Sequence, residues 1–397
     1  MKRFLVQLRA RIRSYLPKDD PFTFLVFAGV TGVIGAGVAS LFRSTFYGFQ
    51  HLFDPHIHGM VALAHYLPWY VRVVMPALGG AMAGACLKYG LDWVPRRGAD
   101  DYLEAITVGN GVLGIRQTLI KSLSSLLSVG SGASIGREGS MVQLAAMTGS
   151  AIGRRLKLSH EKMRLMVACG ATAGITAAYN APIAGSIFVT EIASSDNLLS
   201  RDTLGPLIVA SVIANIISRW IFGAEPVYHM PPFPDITGWE VFAYAGLGIL
   251  CGFAAPFFRR ILDTFRATFL HRSRNLVSNM ALGGLGVGII SMWEPNVWGN
   301  GYSVVNSILH TPWTWWALVG ILIWKVAATG LSAGSGSVGG IFTPTLFVGA
   351  TVGALYGHVL TTLMPWAGTD ASSYAMVGMG AFLASVTYAP FMSILMI

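Results

Sequence analysis

Charge is scarce along this 397-residue chain: 18 acidic and 27 basic residues make up only 11% of it, where a soluble domain carries about 25%. Too few charged side chains remain to cover a water-facing surface, which excludes a soluble globular enzyme and a disordered chain alike. Cysteine is equally sparse. Cys86, Cys169 and Cys251 stand far apart inside apolar runs, so they outline neither a disulfide framework nor a metal knuckle. They read as small core residues, and no metal site is expected. Strand-sized alternating segments between turns, the mark of a membrane barrel, are missing as well. The net charge of +9 is not pooled in a stripe with interleaved aromatics, so no nucleic-acid partner is expected.

Hydrophobic residues make up 53% of the chain, and the mean hydropathy is +0.59. Apolar stretches such as 23–41 and 241–258 approach the ~20 residues a bilayer requires, so the fold class is an all-α polytopic membrane protein. Apolar segments lie near 23–46, 70–94, 117–135, 141–156, 164–178, 182–195, 204–222, 241–262, 276–293, 314–333, 341–364 and 373–397. Several are too short to span, and Gly or Pro interrupts many, a pattern of short, broken and tilted helices used where backbone faces a cavity. Lys2, Arg3, Arg9, Arg11, Arg13 and Lys18 precede the first span. Residues 1–20 therefore read as an amphipathic segment on the cytoplasmic face, not as a cleavable signal. A single membrane domain is expected over 21–397.

A repeat organises that domain. Ala77-Leu78-Gly79-Gly80 with Gly84 recurs as Ala281-Leu282-Gly283-Gly284 with Gly288, displaced by 204 residues. Gly130-Ser131-Gly132 with Gly136 recurs as Gly334-Ser335-Gly336 with Gly340 at the same displacement, and Ala181-Pro182 as Ala389-Pro390 at 208. Three matches in one order point to two homologous halves with inverted topology, about 21–222 and 241–397. The linker 223–240 between them holds Pro226, Pro231, Pro232 and Pro234. Roughly 40 helix-like residues follow Pro182 but only seven follow Pro390, so the second half is expected to stop before its last elements.

Ser131 to Ser140, read as SGASIGREGS, leads into an apolar run, and Gly339-Gly340-Ile341-Phe342-Thr343-Pro344 opens its repeat partner. Small residues leave backbone amides free, and a helix N-terminus carries a partial charge of about +0.5. If the halves face each other across a pseudo-two-fold axis, the amides of Gly136, Arg137 and Gly139 meet those of Gly340, Ile341 and Phe342. That is an anion site without a full positive charge, each amide supplying about 1.5–3 kcal/mol. The plainer alternative is that the glycines only let helices pack closely. Glu138 separates the two, because an ionisable side chain in an apolar region is functional by default. Carrying the sign of the proposed ligand, it can occupy the site, compete with the anion and leave when protonated. The alternative is a fixed capping carboxylate paired with Arg137.

At these residues the sequence resembles the CLC family of chloride channels and chloride/proton exchangers, most closely its bacterial ClcB-type branch. Gly136-Arg137-Glu138-Gly139-Ser140 resembles the family's GREGP signature, Gly340-Ile341-Phe342-Thr343-Pro344 its GIFxP signature, and Asn180-Ala181-Pro182 its NAP turn. The resemblance runs from about residue 23 to the end. It implies a homodimer of inverted-repeat subunits in the bacterial inner membrane, each with its own chloride pathway and no cofactor. It also implies that Glu138 is the external gating glutamate and that the amides of Ile341 and Phe342 hold the central chloride. Three departures stand out. The GSGIP signature should fall near 97–101, where the chain reads Arg97-Gly98-Ala99-Asp100-Asp101-Tyr102 without the chloride-contacting serine. The inner proton glutamate of exchangers follows the one matched by Glu191, and here that position is Ile192. The pore tyrosine normally lies beyond residue 397. Ile192 tilts the expectation towards channel-like conduction, with a chloride/proton antiporter as the close alternative.

An intramembrane hydrolase using Ser131 or Ser134 is a distant alternative, since no histidine occurs between His65 and His160. Glu104 and Lys121 are expected to form a structural ion pair, and Lys325 to snorkel or pair likewise. His51, His56, His58 and His65 read as loop residues, and Trp313, Trp315 and Trp316 as an interfacial belt.

Overall fold

A computed structural model of the chain describes residues 21–51, 59–95, 98–192, 201–231, 238–364 and 371–397. The segment 1–20, His56, His58, Arg97, Pro232 and Pro234 lie outside the described residues. Among those described the chain is helical, with two isolated bridges as its only β pairing. The helices of the N-terminal half are α1 (Pro21–His51), α2 (Met60–Tyr66), α3 (Trp69–Asp92), α4 (Tyr102–Thr107), α5 (Ile115–Gly130), α6 (Glu138–Leu156), α7 (His160–Tyr179), α8 (Pro182–Ile192) and α9 (Arg201–Phe222). Those that follow are α10 (Glu240–Arg272), α11 (Leu276–Trp293), α12 (Tyr302–His310), α13 (Trp315–Gly334), α14 (Phe342–Leu363), α15 (Ala371–Thr387) and α16 (Pro390–Met396).

Seven helices are long and apolar enough to cross a membrane among the described residues: α1, α3, α9, α10, α11, α13 and α14. The apolar run 373–397 is two helices, because Pro390 has no N–H to continue α15 and fits only a first turn. Before it, Tyr388 adopts a left-handed φ of 58°, matching the φ of 56° at Asn180 before Pro182. Both turns therefore break the chain in the same way, one per half.

The 204-residue displacement is visible bond by bond. At the end of α5, Ala133 donates to Ser128 O and Gly132 to Val129 O; at the end of α13, Ser337 donates to Ser332 O and Gly336 to Ala333 O. Gly132 and Gly336 take φ of 114° and 100°, which a β-carbon would oppose. The helices α3 and α11 cross through reciprocal contacts. A β-carbon on Gly80 would run into Met280 O, and one on Gly284 into Pro76 O. Gly84 lies on Val277 and Gly288 on Val73, again the same pairs with the halves exchanged. When residue i of one half meets j of the other, and j's equivalent meets i's, the two bodies are related by a two-fold operation. The fold is accordingly a pair of inverted repeats, and small residues at the crossing let the backbones approach where no hydrophobic drive exists between helices in lipid.

The interior is filled by α6, α7 and the first half of α14. Met166 to Tyr179 of α7 are continuously buried, and so are Thr343 to Thr351 of α14. Large apolar side chains face outward on the surrounding helices, among them Leu41, Met82, Ile216 and Phe253.

Because the α3–α11 crossing is reciprocal, Gly80→Ala and Gly284→Ala should each destabilise the fold by about 1–3 kcal/mol. Thermal unfolding in detergent reads this, with Gly248→Ala in α10 as the reference: no atom lies within 4 Å of a β-carbon there, and its midpoint should not fall.

Candidate anion site

Helices α6 and α14 begin at Glu138 and Phe342, which are themselves 204 residues apart. The loops leading into them meet. Gly136 donates its N–H to Gly340 O at 2.8 Å, and Gly340 donates to Gly136 O at 2.8 Å, an isolated antiparallel bridge. A residue bonded in both directions to its own counterpart sits on the two-fold axis. Side chains would crowd this approach, since a β-carbon on Gly139 would lie 3.2 Å from Gly340 N and one on Gly340 3.3 Å from Gly139 N.

The bridge corrects one part of the sequence reading. The amides of Gly136 and Gly340 are spent on each other and cannot point at an anion. The N–H groups of Arg137, Glu138, Gly139, Ile341 and Phe342 make no hydrogen bond among the described residues. These are the first-turn donors that helix geometry leaves open, and the bridge brings the two helix N-termini together.

Glu138 lies beside that bridge. It is 3% exposed, and its Oε1 accepts from Tyr302 Oη at 2.7 Å and Asn300 Nδ2 at 3.1 Å. Its Oε2 has no partner and folds back over Gly136, where a β-carbon would run into it. Tyr302 opens α12 directly after Gly301, whose φ of 89° turns the chain towards the carboxylate. Tyr228 packs edge-on against the Tyr302 ring at 5.4 Å. Tyr179 also reaches Thr343 Oγ1 at 3.2 Å and lays its ring 5.3 Å from that of Phe342. The carboxylate thus sits in a cage of aromatic walls and hydroxyl donors.

Glu138 is not a cap paired with Arg137. The Arg137 guanidinium turns away, donating to Tyr47 Oη at 3.0 Å and stacking 4.6 Å from the Phe46 ring. Glu191 accepts the N–H groups of Phe391 at 2.9 Å and Met392 at 2.8 Å, which caps α16, while Ile192 packs on the apolar core beside it.

Three other expectations are corrected. Lys121 does not pair with Glu104: it donates to Asp100 O at 2.6 Å and lies 3.9 Å from Asp100 Oδ1. Glu104 is committed elsewhere, because Asp101 Oδ1 caps α4 through Glu104 N and the Glu104 carboxylate reaches back to Asp100 N at 2.8 Å. Lys325 neither snorkels nor meets a carboxylate; it is fully buried and donates to Val297 O and Gly299 O. Trp313 turns inward to Ser307 Oγ, while Trp315 and Trp316 stay exposed. Ser131 bonds Ser128 O and Ser134 faces Thr329, so neither serine has the histidine base a hydrolase would need.

Asn300, Tyr302, Tyr179 and Tyr228 were missing from the sequence-based site. None carries a motif of its own, although Gly299 and Gly301 flank Asn300 and Tyr179 stands immediately before the Asn180-Ala181-Pro182 turn.

The family profile described as voltage gated chloride channel matches residues 79–397. The chain belongs to that family, the CLC family. A ClcB-like chloride channel protein of Ralstonia nicotianae is 53% identical over 377 residues, 94% of this chain and 87% of the relative. The voltage-gated ClC-type chloride channel ClcB of Citrobacter koseri is 37% identical, covering 95% and 90%. Among solved CLC structures, a slow cyanobacterial Cl−/H+ antiporter superposes with a TM-score of 0.81 at 25% identity, covering 94% of this chain and 88% of that one. A CLC-type fluoride/proton antiporter reaches 0.75 at 21% identity, a likeness of fold. The preference for channel-like conduction drawn from Ile192 is not borne out by these likenesses, which favour the antiporter alternative at least as well.

Tyr302 Oη donates to Glu138 Oε1, and such a bond is stronger to an ionised acceptor than to a neutral one. Tyr302→Phe should therefore move the pH dependence of chloride flux to higher pH by about one to two units, the equivalent of one charge-assisted bond. A pH series of chloride efflux from liposomes measures it.

Proposed function

We propose that this chain carries chloride across a bacterial inner membrane through a pathway plugged by Glu138, and that chloride movement is exchanged for protons. What supports the reading is the buried Glu138 carboxylate beside the Gly136–Gly340 bridge, where the loops that open α6 and α14 meet with their next amides unbonded. An anionic side chain held in an anion's place competes with the permeating ion. Protonation removes its charge and its claim on the amides, so one proton admits one or more chlorides. The amides are the ligands: Ile341 and Phe342 from α14, with Arg137 and Gly139 from α6. Among the described residues no lysine or arginine bonds Glu138, and binding by dipoles alone keeps departure fast enough for transport.

Exchange is favoured over free conduction for two reasons. The solved relative at 25% identity is a Cl−/H+ antiporter. In addition, Tyr302 Oη bonds Glu138, Tyr228 packs against the Tyr302 ring, and Tyr179 Oη bonds Thr343 Oγ1, so hydroxyls able both to donate and to accept a proton lie near the carboxylate. Those hydroxyls offer the proton neighbours other than the carboxylate that Ile192 lacks. The basic residues before Pro21 set the N-terminus in the cytoplasm, and the working unit is a homodimer as the family resemblance implies.

Purified protein in liposomes with an imposed chloride gradient should drive measurable proton movement. Glu138→Gln should abolish that coupling while chloride flux continues and loses its pH dependence. Chloride flux without any proton movement in the unaltered protein would leave a channel as the correct reading.

A further inference from the structure

Among the described residues, Lys325 is a fully buried basic side chain that the anion site does not use. It lies in α13, fully buried, and no carboxylate approaches it among the described residues. Its ammonium donates to Gly299 O at 2.8 Å and Val297 O at 3.0 Å, and its third side rests 5.2 Å from the centre of the Phe347 ring. Both carbonyls belong to the turn between Trp293 and Tyr302. That turn bends through positive φ at Gly299 (62°) and Gly301 (89°), and ends in the two side chains that hold Glu138. Gly301 is itself wedged between Phe347 and the Lys325 ammonium, with a notional β-carbon 3.5 Å from Nζ.

Burying an ammonium against carbonyl dipoles is unfavourable unless the acceptors are fixed, so the lysine and the turn immobilise each other. We propose that Lys325 is a positioning residue for the gate: by clamping the 297–299 carbonyls it presents Asn300 and Tyr302 to Glu138 and biases the gate towards its charged, closed form. The proposal rests on the gating reading given above. The chain of contacts is continuous, running from Lys325 Nζ to Gly299 O, through one peptide to Asn300 Nδ2, and on to Glu138 Oε1 at 3.1 Å. The same ammonium tethers the turn to α14 through Phe347, five residues beyond Phe342 at that helix's open end. The clamp therefore holds the gate's donors in register with the amides the gate covers.

The protonation chemistry stays at Glu138. The groups facing it are the Tyr302, Tyr179 and Tyr228 hydroxyls and the Asn300 amide, while Arg137 is turned to Phe46 and Tyr47. Those facing Lys325 are the two carbonyls, Gly301 and the Phe347 ring, none of which titrates.

The test is chloride efflux against pH for the full chain in liposomes, with Lys325→Met, Lys325→Gln and Lys325→Arg, each also combined with Glu138→Gln. Loss of the clamp should raise the pH of half-maximal flux by about one unit in Lys325→Met, a tenfold change in the proton concentration required. Lys325→Gln should shift it in the same direction, and Lys325→Arg, which keeps the charge and the donors, should restore the unaltered midpoint. In the Glu138→Gln background none of the three should add a pH effect. An unchanged midpoint in Lys325→Met, even with lower flux at every pH, overturns the proposal and leaves gating by Glu138 standing. Should Lys325→Met fail to fold, an unchanged midpoint in Lys325→Gln has the same force. Persistence of the pH dependence in Glu138→Gln alone overturns the gating reading and this proposal with it.

Discussion

Two helix beginnings can face each other only if the backbone between them carries no side chains, and that requirement governs the centre of this protein. At Gly136 and Gly340 the chain doubles back on itself across the two-fold axis with a pair of 2.8 Å hydrogen bonds. The bridge satisfies one donor from each loop and leaves the next ones open. Those open donors belong to helices whose dipoles point the same way, towards the axis. In a lipid-surrounded interior with few charges, dipoles of this kind give an anion a favourable place without the desolvation penalty of burying a cation beside it. The glycine contacts at the α3–α11 crossing serve the same end at a distance. They bring equivalent helices of the two halves into direct backbone contact, and so keep the loops on the axis in register.

The carboxylate that fills this place is restrained by neutral donors from the opposite half of the molecule. Asn300 and Tyr302 are more than 160 residues from Glu138 in sequence, and they approach from a turn that only glycine permits. Hydrogen bonds to a charged acceptor contribute about 1.5–3 kcal/mol each, enough to keep the side chain in place and small enough for protonation to release it. A guanidinium in their position would hold the carboxylate through any physiological change of pH. Arg137, adjacent in sequence, is kept off by the stacking of its plane on Phe46 and Tyr47.

Much of the frame was legible in the chain itself. The displacement of 204 residues marked the paired halves, and the glycine-introduced loops and Glu138 marked the site, because each depends on a short local pattern that repeats. What escaped depended on contacts between halves. Asn300 and Tyr302 carry no motif, and their role follows from a turn whose direction is set by Gly299, Gly301 and a lysine two helices away. Lys325 was misread because a buried charge is ordinarily assumed to need an opposite charge, whereas two carbonyls fixed by a tight turn suffice. The Glu104–Lys121 pairing failed for a local reason that was readable: Asp101 and Glu104 have the spacing of a capping box, which commits Glu104 to backbone at the start of α4.

The position of Ile192 looks like an obstacle to proton coupling only if protons must travel on carboxylates. A carboxylate is one way to carry a proton through an apolar interior; a hydroxyl that accepts one proton while donating another is a second. Near Glu138 the chain places Tyr302, Tyr228 and Tyr179, with Thr343 bonded to Tyr179. Tyrosine brings a large apolar body that seals the cavity and a single polar tip that finds a partner. Phe342 and Phe188 complete the wall on the α14 side. Such a lining keeps the carboxylate dry, so its charge is felt strongly by the amides it covers, and still leaves it in contact with groups that exchange protons. In the proposed exchange, competition for one set of amides links the two ions: chloride enters when the proton has neutralised the plug, and the returning carboxylate displaces chloride as the proton leaves.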